Sequence, residues 1–209
     1  MAGMNDLLTR YSTLTTCCND IESAVNILTV VYKLGGTVYI CGNGGSAADA
    51  EHITGELMKG FLKKRPLIQA EYYKLAQYGD NGLYLAERLQ GALPAVAISS
   101  MTALMTAVSN DIDSDVAFAQ AVWGLAGEND VLFAISTSGN ASNVIYAAIA
   151  ARAKGAKIIS LTGETGGELL AYSDVCIRVP ETETYKIQEL HLPVYHYICA
   201  ALENAFFEI

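Results

Sequence analysis

Basic residues are in short supply. Thirteen Lys and Arg face 22 Asp and Glu, leaving a net charge of −9 over 209 residues. Nucleic-acid binding relies on clustered cations over phosphates, so this balance argues against nucleic acid as a partner. A phosphorylated metabolite is not excluded, because backbone amides and hydroxyls hold phosphate without net charge. Charge of either sign is sparse at 17%, against 52% hydrophobic residues. A single domain of this length has difficulty hiding so much apolar side chain, which predicts an oligomer with large helical interfaces. No C-x-x-C pair occurs among Cys17, Cys18, Cys41, Cys176 and Cys199. An odd count without that spacing predicts reduced thiols rather than a disulfide framework or zinc knuckle. Pro94, Ser99, Ser100, Thr102 and Thr106 interrupt the apolar stretches, and the first residues lack a basic segment leading into a long apolar core. No membrane span and no signal peptide are expected, hence a soluble, cytoplasmic protein. With no internal repeat, low-complexity run or linker, residues 1–209 are expected to form one domain.

What is present is a regular alternation. Apolar positions over residues 3–34 follow a 3.6 period and end at Gly35-Gly36, predicting one long N-terminal helix that serves as an oligomerisation arm or a plain packing helix. Continuous apolar runs at 37–42, 94–99, 131–136, 157–162 and 175–179 read as five buried strands. Helices are expected between them at 46–62, 102–108, 114–127, 142–154 and 168–172, and a last long one at 183–208 has Pro193 inside it. Residues 67–93 read as two short helices, 69–77 and 83–90, around a turn at 78–82. Strands alternating with helices predict an α/β three-layer sandwich with a parallel sheet, whose ligands bind beyond the carboxyl ends of the strands.

Two turns fall on that edge. Gly42-Asn43-Gly44-Gly45-Ser46 lets backbone amides approach an anion, although it matches neither a dinucleotide fingerprint nor a P-loop and is also an ordinary strand–helix turn. Ser136-Thr137-Ser138-Gly139-Asn140 places three hydroxyls before a helix start, a good phosphate cradle where a mere helix cap would need one Ser. His52 and Glu56, at i and i+4, share a helix face and suit an acid–base pair, metal ligands or a surface ion pair. Gln188, His191 and His196 cluster on the last helix. Gln188 and His196 are close to one face, and the presence of two of the chain's three His there weakens the case for simple packing residues. Asn110-Asp111 on its own is a turn signal.

Taken together, CGNGGSAADAEH with Glu56, Ser109-Asn110-Asp111, ISTSGN at 135–140, LTG at 161–163 and IQELH followed by His196 resemble the sugar isomerase (SIS) domain family, and within it the phosphoheptose isomerases. The resemblance spans nearly the whole chain except residues 67–93. It implies a flavodoxin-like SIS fold with a five-stranded parallel sheet, and a homotetramer with sites shared between subunits. The implied activity converts sedoheptulose 7-phosphate to D-glycero-D-manno-heptose 7-phosphate through an enediol. It also implies roles by position. Ser136, Thr137 and Ser138 match the phosphate loop, with Ser46 assisting. Asn43, Gly44, Gly45, Asn110, Asp111, Glu56 and Gln188 match substrate-binding positions. Glu56 and His196 match the catalytic acid–base pair, and His52, Glu56, Gln188 and His196 match a zinc site.

Three features depart from the family pattern. Ala141 stands where the family commonly has Ser, Tyr185 where it often has Asp, and residues 67–93 form an insertion. The alternatives within the same group are a non-catalytic binding protein of the replication-initiator-associating type and a sugar-phosphate sensor. Retention of His52, Glu56, Gln188 and His196 together favours the enzyme.

Overall fold

The computed structural model describes residues 3–207. Five strands, β1 (Val38–Gly42), β2 (Ala95–Ala97), β3 (Val131–Ile135), β4 (Lys157–Thr162) and β5 (Val175–Arg178), form one sheet in the order β2-β1-β3-β4-β5. All four pairings are parallel, with Ile40 opposite Ala97 on one side and Phe133 on the other. Both faces are covered, which is why the strands read as unbroken apolar runs. Val38, Ile40, Val131, Phe133 and Ile159 belong to one core, while Tyr39, Cys41, Leu132, Ala134 and Ile158 belong to the other. The order reverses between β1 and β3, so a crevice opens beyond their carboxyl ends.

Helices α1 (Met4–Arg10), α2 (Cys18–Lys33), α3 (Gly45–Met58) and α9 (Thr184–Phe206) gather on the first face. Helices α6 (Thr102–Asp111), α7 (Ala117–Leu125) and α8 (Ser142–Ala153) gather on the second. Between α3 and β2, α4 (Gln69–Ala76) and α5 (Gly79–Ala86) form a helical hairpin whose helices pack on each other and on little else. Its base is tied by the Pro66–Gln90 bridge and by Gly91 N donating to Arg65 O. No residue of α4 is buried, and Tyr73, Tyr78 and Tyr84 are all exposed.

Several expected elements differ. The single N-terminal helix is broken by a 3-10 segment, Ser12–Cys17. The Thr15 and Thr16 hydroxyls donate to Ser12 O and Thr13 O, the local competition that makes Ser and Thr poor helix formers. β2 is three residues long because the chain turns into a 3-10 stretch at Ile98. Gly79 opens α5 with a positive φ instead of lying within a turn. Asn110 and Asp111 belong to the last turn of α6, not to a turn after it. The helix expected at 114–127 begins as a separate 3-10 turn, where the Asp113 side chain accepts from Asp115 N. Glu168–Tyr172 is also 3-10. The last helix ends at Phe206, and its expected final residue, Glu208, lies outside the described residues. All five cysteines are free. Among the described residues no helix is long and apolar enough to cross a membrane.

His191 is a packing residue after all. It is fully buried, and its ring nitrogens lie near the Thr162 backbone without completing a hydrogen bond. Burial pulls its imidazole down to about 4 from an ordinary 6.5. The unfolded chain therefore binds a proton that the folded protein refuses between those values. Stability falls as pH drops from 6.5 towards 4, by about 3 kcal/mol in total. Urea unfolding at pH 7 and pH 4 should show this loss in the wild type and not in His191→Leu; parallel changes would refute it.

Candidate active site

The crevice beyond β1 and β3 is a pocket of about 330 Å³ formed by the two turns and α9. Asn43, Gly44, Gly45 and Ser46 supply one wall, Ser136, Thr137 and Ser138 the other, and Gln188 closes it. Among the described residues no charged side chain lines it. The starts of α3 and α8 border the pocket, and neither has a side-chain cap. Helix starts and hydroxyls thus provide the attraction for an anion. Gly139 holds a positive φ that lets the second turn fold back on itself. Asn43 and Asn143 exchange two amide hydrogen bonds of 2.9 Å, clamping the first turn to α8. Ala141 places a methyl group in the wall. Tyr185 is exposed.

Gly45 sits at a close approach. A Cβ there would stand 2.5 Å from Gln188 Nε2. Gln188 has a flexible end, so Gly45→Ala should fold with stability changed by less than about 1 kcal/mol while displacing the amide. A shift near 1 Å costs up to about 100-fold in a positioned reaction. We expect kcat/KM to fall at least about tenfold, and steady-state kinetics beside urea unfolding would check both halves.

The second half of the site lies further along α3 and α9, which run side by side. His52 Nε2 is 3.4 Å from Glu56 Oε1, and Lys59 Nζ is 3.2 Å from Glu56 Oε2. The His196 ring lies 5.0 Å from that of His52 and 5.4 Å from that of Phe61. His196 Nε2 is buried with no hydrogen-bond partner. Desolvation and the nearby His52 lower the His196 pKa, so its ring stays neutral to lower pH than an ordinary imidazole. A carboxylate beside a neutral imidazole with an uncommitted nitrogen is equipped to move protons on a bound substrate.

A buried ion pair fixes this region. Arg65 Nε donates to Glu203 Oε1 at 2.8 Å, with both side chains almost wholly out of solvent. Arg65 also donates to Leu57 O and Glu56 O, capping the last carbonyls of α3. Glu203 accepts from the backbone of Phe61, Leu62 and Lys63, which seats Phe61 against His196. Burial alone would raise the Glu203 carboxyl, but these donors more than reverse it.

Of the expected site residues, the structure unites Asn43–Ser46, Ser136–Ser138 and Gln188 in one pocket, and His52, Glu56 and His196 in a second cluster. Gln188 and His196 are separated by about 12 Å of helix. His196 opens instead onto an apolar hollow shared with α1, whose lining includes Arg10 and Phe61. Asn110 and Asp111 join neither group, and their side chains bond to each other. Among the described residues no three His, Cys, Asp or Glu side chains stand together as a ready metal-binding group. Asn143, Thr184, Arg65 and Glu203 were not anticipated. Arg65 and Glu203 are 138 positions apart, and nothing local links them.

SIS domain family models match residues 75–202 and 2–97. A phosphoheptose isomerase of Rhodospirillum rubrum is 40% identical over 90% of this chain and 87% of its own. The chain belongs to the SIS domain family, among the phosphoheptose isomerases. A second relative in that family, from Mycobacterium tuberculosis, is 39% identical over 84% of this chain and 77% of its own. The family's solved structures agree. The Neisseria gonorrhoeae phosphoheptose isomerase superposes with a TM-score of 0.75 at 30% identity, covering 93% of this chain and 91% of that one. The Francisella tularensis phosphoheptose isomerase also gives 0.75, at 28% identity, covering 93% and 90%.

Proposed function

We propose that this protein interconverts sedoheptulose 7-phosphate and D-glycero-D-manno-heptose 7-phosphate. The observation that carries this is the placing, on one pair of helices, of an uncharged phosphate cradle and a carboxylate–imidazole cluster. The substrate phosphate binds Ser136, Thr137 and Ser138 with Ser46, at the starts of α8 and α3. Glu56 takes the proton from C1 of the ketose and returns it to C2. His196 passes a proton between the two oxygens, so that the enediol forms and collapses without net loss or gain. The separation along α9 suits a long, extended sugar phosphate with its reacting end away from the cradle.

A zinc ion is proposed with it, at His52, Glu56, Gln188 and His196, in exchange with the state in which Glu56 and His196 carry protons, since a lone pair bound to metal does not accept a proton. The donor types fit, and the buried, unpartnered His196 Nε2 is what a ligand nitrogen offers before it binds. When bound, zinc would polarise the substrate carbonyl and steady negative charge on its oxygens. A homotetramer is proposed from the exposed apolar side chains, among them Val30, Leu34 and Trp123, and from a His196 that faces a hollow separate from the cradle. A cytoplasmic setting accords with five free thiols.

Incubation of purified, zinc-replete protein with sedoheptulose 7-phosphate, following aldose phosphate, tests the reaction. Absence of turnover in protein that still binds phosphate would sink it. Metal analysis with and without a chelator tests zinc, and light scattering tests the tetramer.

A further inference from the structure

Tyr195 precedes His196 on α9, is 1% exposed, and its hydroxyl touches two groups. It lies 3.1 Å from Asp49 Oδ1 and 3.1 Å from His52 Nδ1. A phenol has one hydrogen to donate. An ionised carboxylate has none and only accepts. The Tyr195 hydrogen therefore goes to Asp49, and the Tyr195 oxygen is left as an acceptor. The contact with His52 then requires a hydrogen on Nδ1. A neutral imidazole carries a single hydrogen, so His52 Nε2 holds a lone pair. That nitrogen stands 3.4 Å from Glu56 Oε1 and on the side of the ring facing the acid–base cluster. In the neutral ring two acceptors are thus aimed at each other, whereas an imidazolium would donate to both Tyr195 and Glu56. The neutral arrangement is favourable when a positive centre stands between them.

On the isomerase reading of this site, we propose that Tyr195, held by Asp49, is a positioning residue that sets His52 as its Nδ1–H tautomer and so presents Nε2 as an electron-pair donor beside Glu56. The ligand class this suits is a divalent cation. Outer partners of this kind fix both the ring orientation and the tautomer of a ligating His. Neither Asp49 nor Tyr195 is reactive towards substrate in this scheme; each acts through His52.

The chain has three His, so ¹⁵N-histidine labelling gives a spectrum of three rings. The full-length protein is measured as purified and after dialysis against a chelator. His52 should show a protonated Nδ1 and an unprotonated-type Nε2 in both. In chelated Asp49→Ala the Tyr195 hydrogen is released to donate to Nδ1, and His52 should flip to the Nε2–H form. Tyr195→Phe, which keeps the buried ring, should leave a mixture of the two tautomers and weaken zinc binding about 10- to 100-fold in a chelator competition. An Nε2–H tautomer in the wild type, or an unchanged His52 in both variants, would overturn the proposal. These readouts do not require turnover. An inactive wild type with the Nδ1–H tautomer would remove the isomerase reading and leave the Tyr195 assignment standing.

Discussion

Glu56→Gln should lower turnover of sedoheptulose 7-phosphate at least about 100-fold while inorganic phosphate binds as in the wild type. The amide preserves the shape of the carboxylate and its place beside Lys59, but it has no basic oxygen to accept a carbon-bound proton. General acid–base catalysis typically contributes about 100- to 10,000-fold, and this substitution removes the proposed base alone. Phosphate affinity is the internal control, since Ser46 and Glu56 are ten residues apart, about 15 Å along α3. The Arg65 guanidinium, which grips the backbone carbonyl of Glu56, does not depend on the side chain and should keep the helix end in place. Turnover within about tenfold of wild type would show that another group takes the proton.

Removing either member of the Arg65–Glu203 pair should destabilise the fold by about 3–5 kcal/mol, measured by urea unfolding. The cost comes less from the lost attraction than from what is left behind. In Glu203→Ala the guanidinium is stranded in the core, where its contacts are the carbonyls of Glu56 and Leu57 and the Phe207 ring. Three backbone N–H groups, of Phe61, Leu62 and Lys63, lose their acceptor at the same time. In Arg65→Ala the carboxylate keeps those donors but loses its counter-charge, and the end of α3 loses its cap. Because Phe61 rides on this segment and packs against His196, the surviving folded protein should also lose turnover. A loss of stability below about 1 kcal/mol for both variants would mean that solvent reaches the pair.

Those two residues show where the sequence stops informing. Arg65 ends a basic run and Glu203 is a lone charge near the end of an apolar helix, and only folding brings them to 2.8 Å across 138 positions. Tyr195 and Asp49 were nearer to being found. One adjoins His196 and the other is one helix turn before His52, but neither neighbourhood implies that they meet. His191 shows the opposite error. Its company on α9 weakened the case for a packing residue, whereas the fold buries it fully. The N-terminal helix was misread for a local reason: a Ser/Thr run can satisfy its own carbonyls, and the apolar period continues through the resulting break.

The strand–helix alternation, the all-parallel sheet and the two turns at its carboxyl edge were legible because each depends on local pattern: continuous apolar runs, glycine where the backbone must bend, hydroxyls before a helix. The resemblance to the family pointed to Glu56, His196 and the Ser136–Ser138 turn as the residues to test. Position along the chain says nothing, however, about which nitrogen of a ring holds its hydrogen, which charge is buried against which, or that His196 faces a hollow separate from the cradle. Those are consequences of how α3 and α9 lie side by side over the sheet. Packing two helices sets distances between residues that no sequence spacing records.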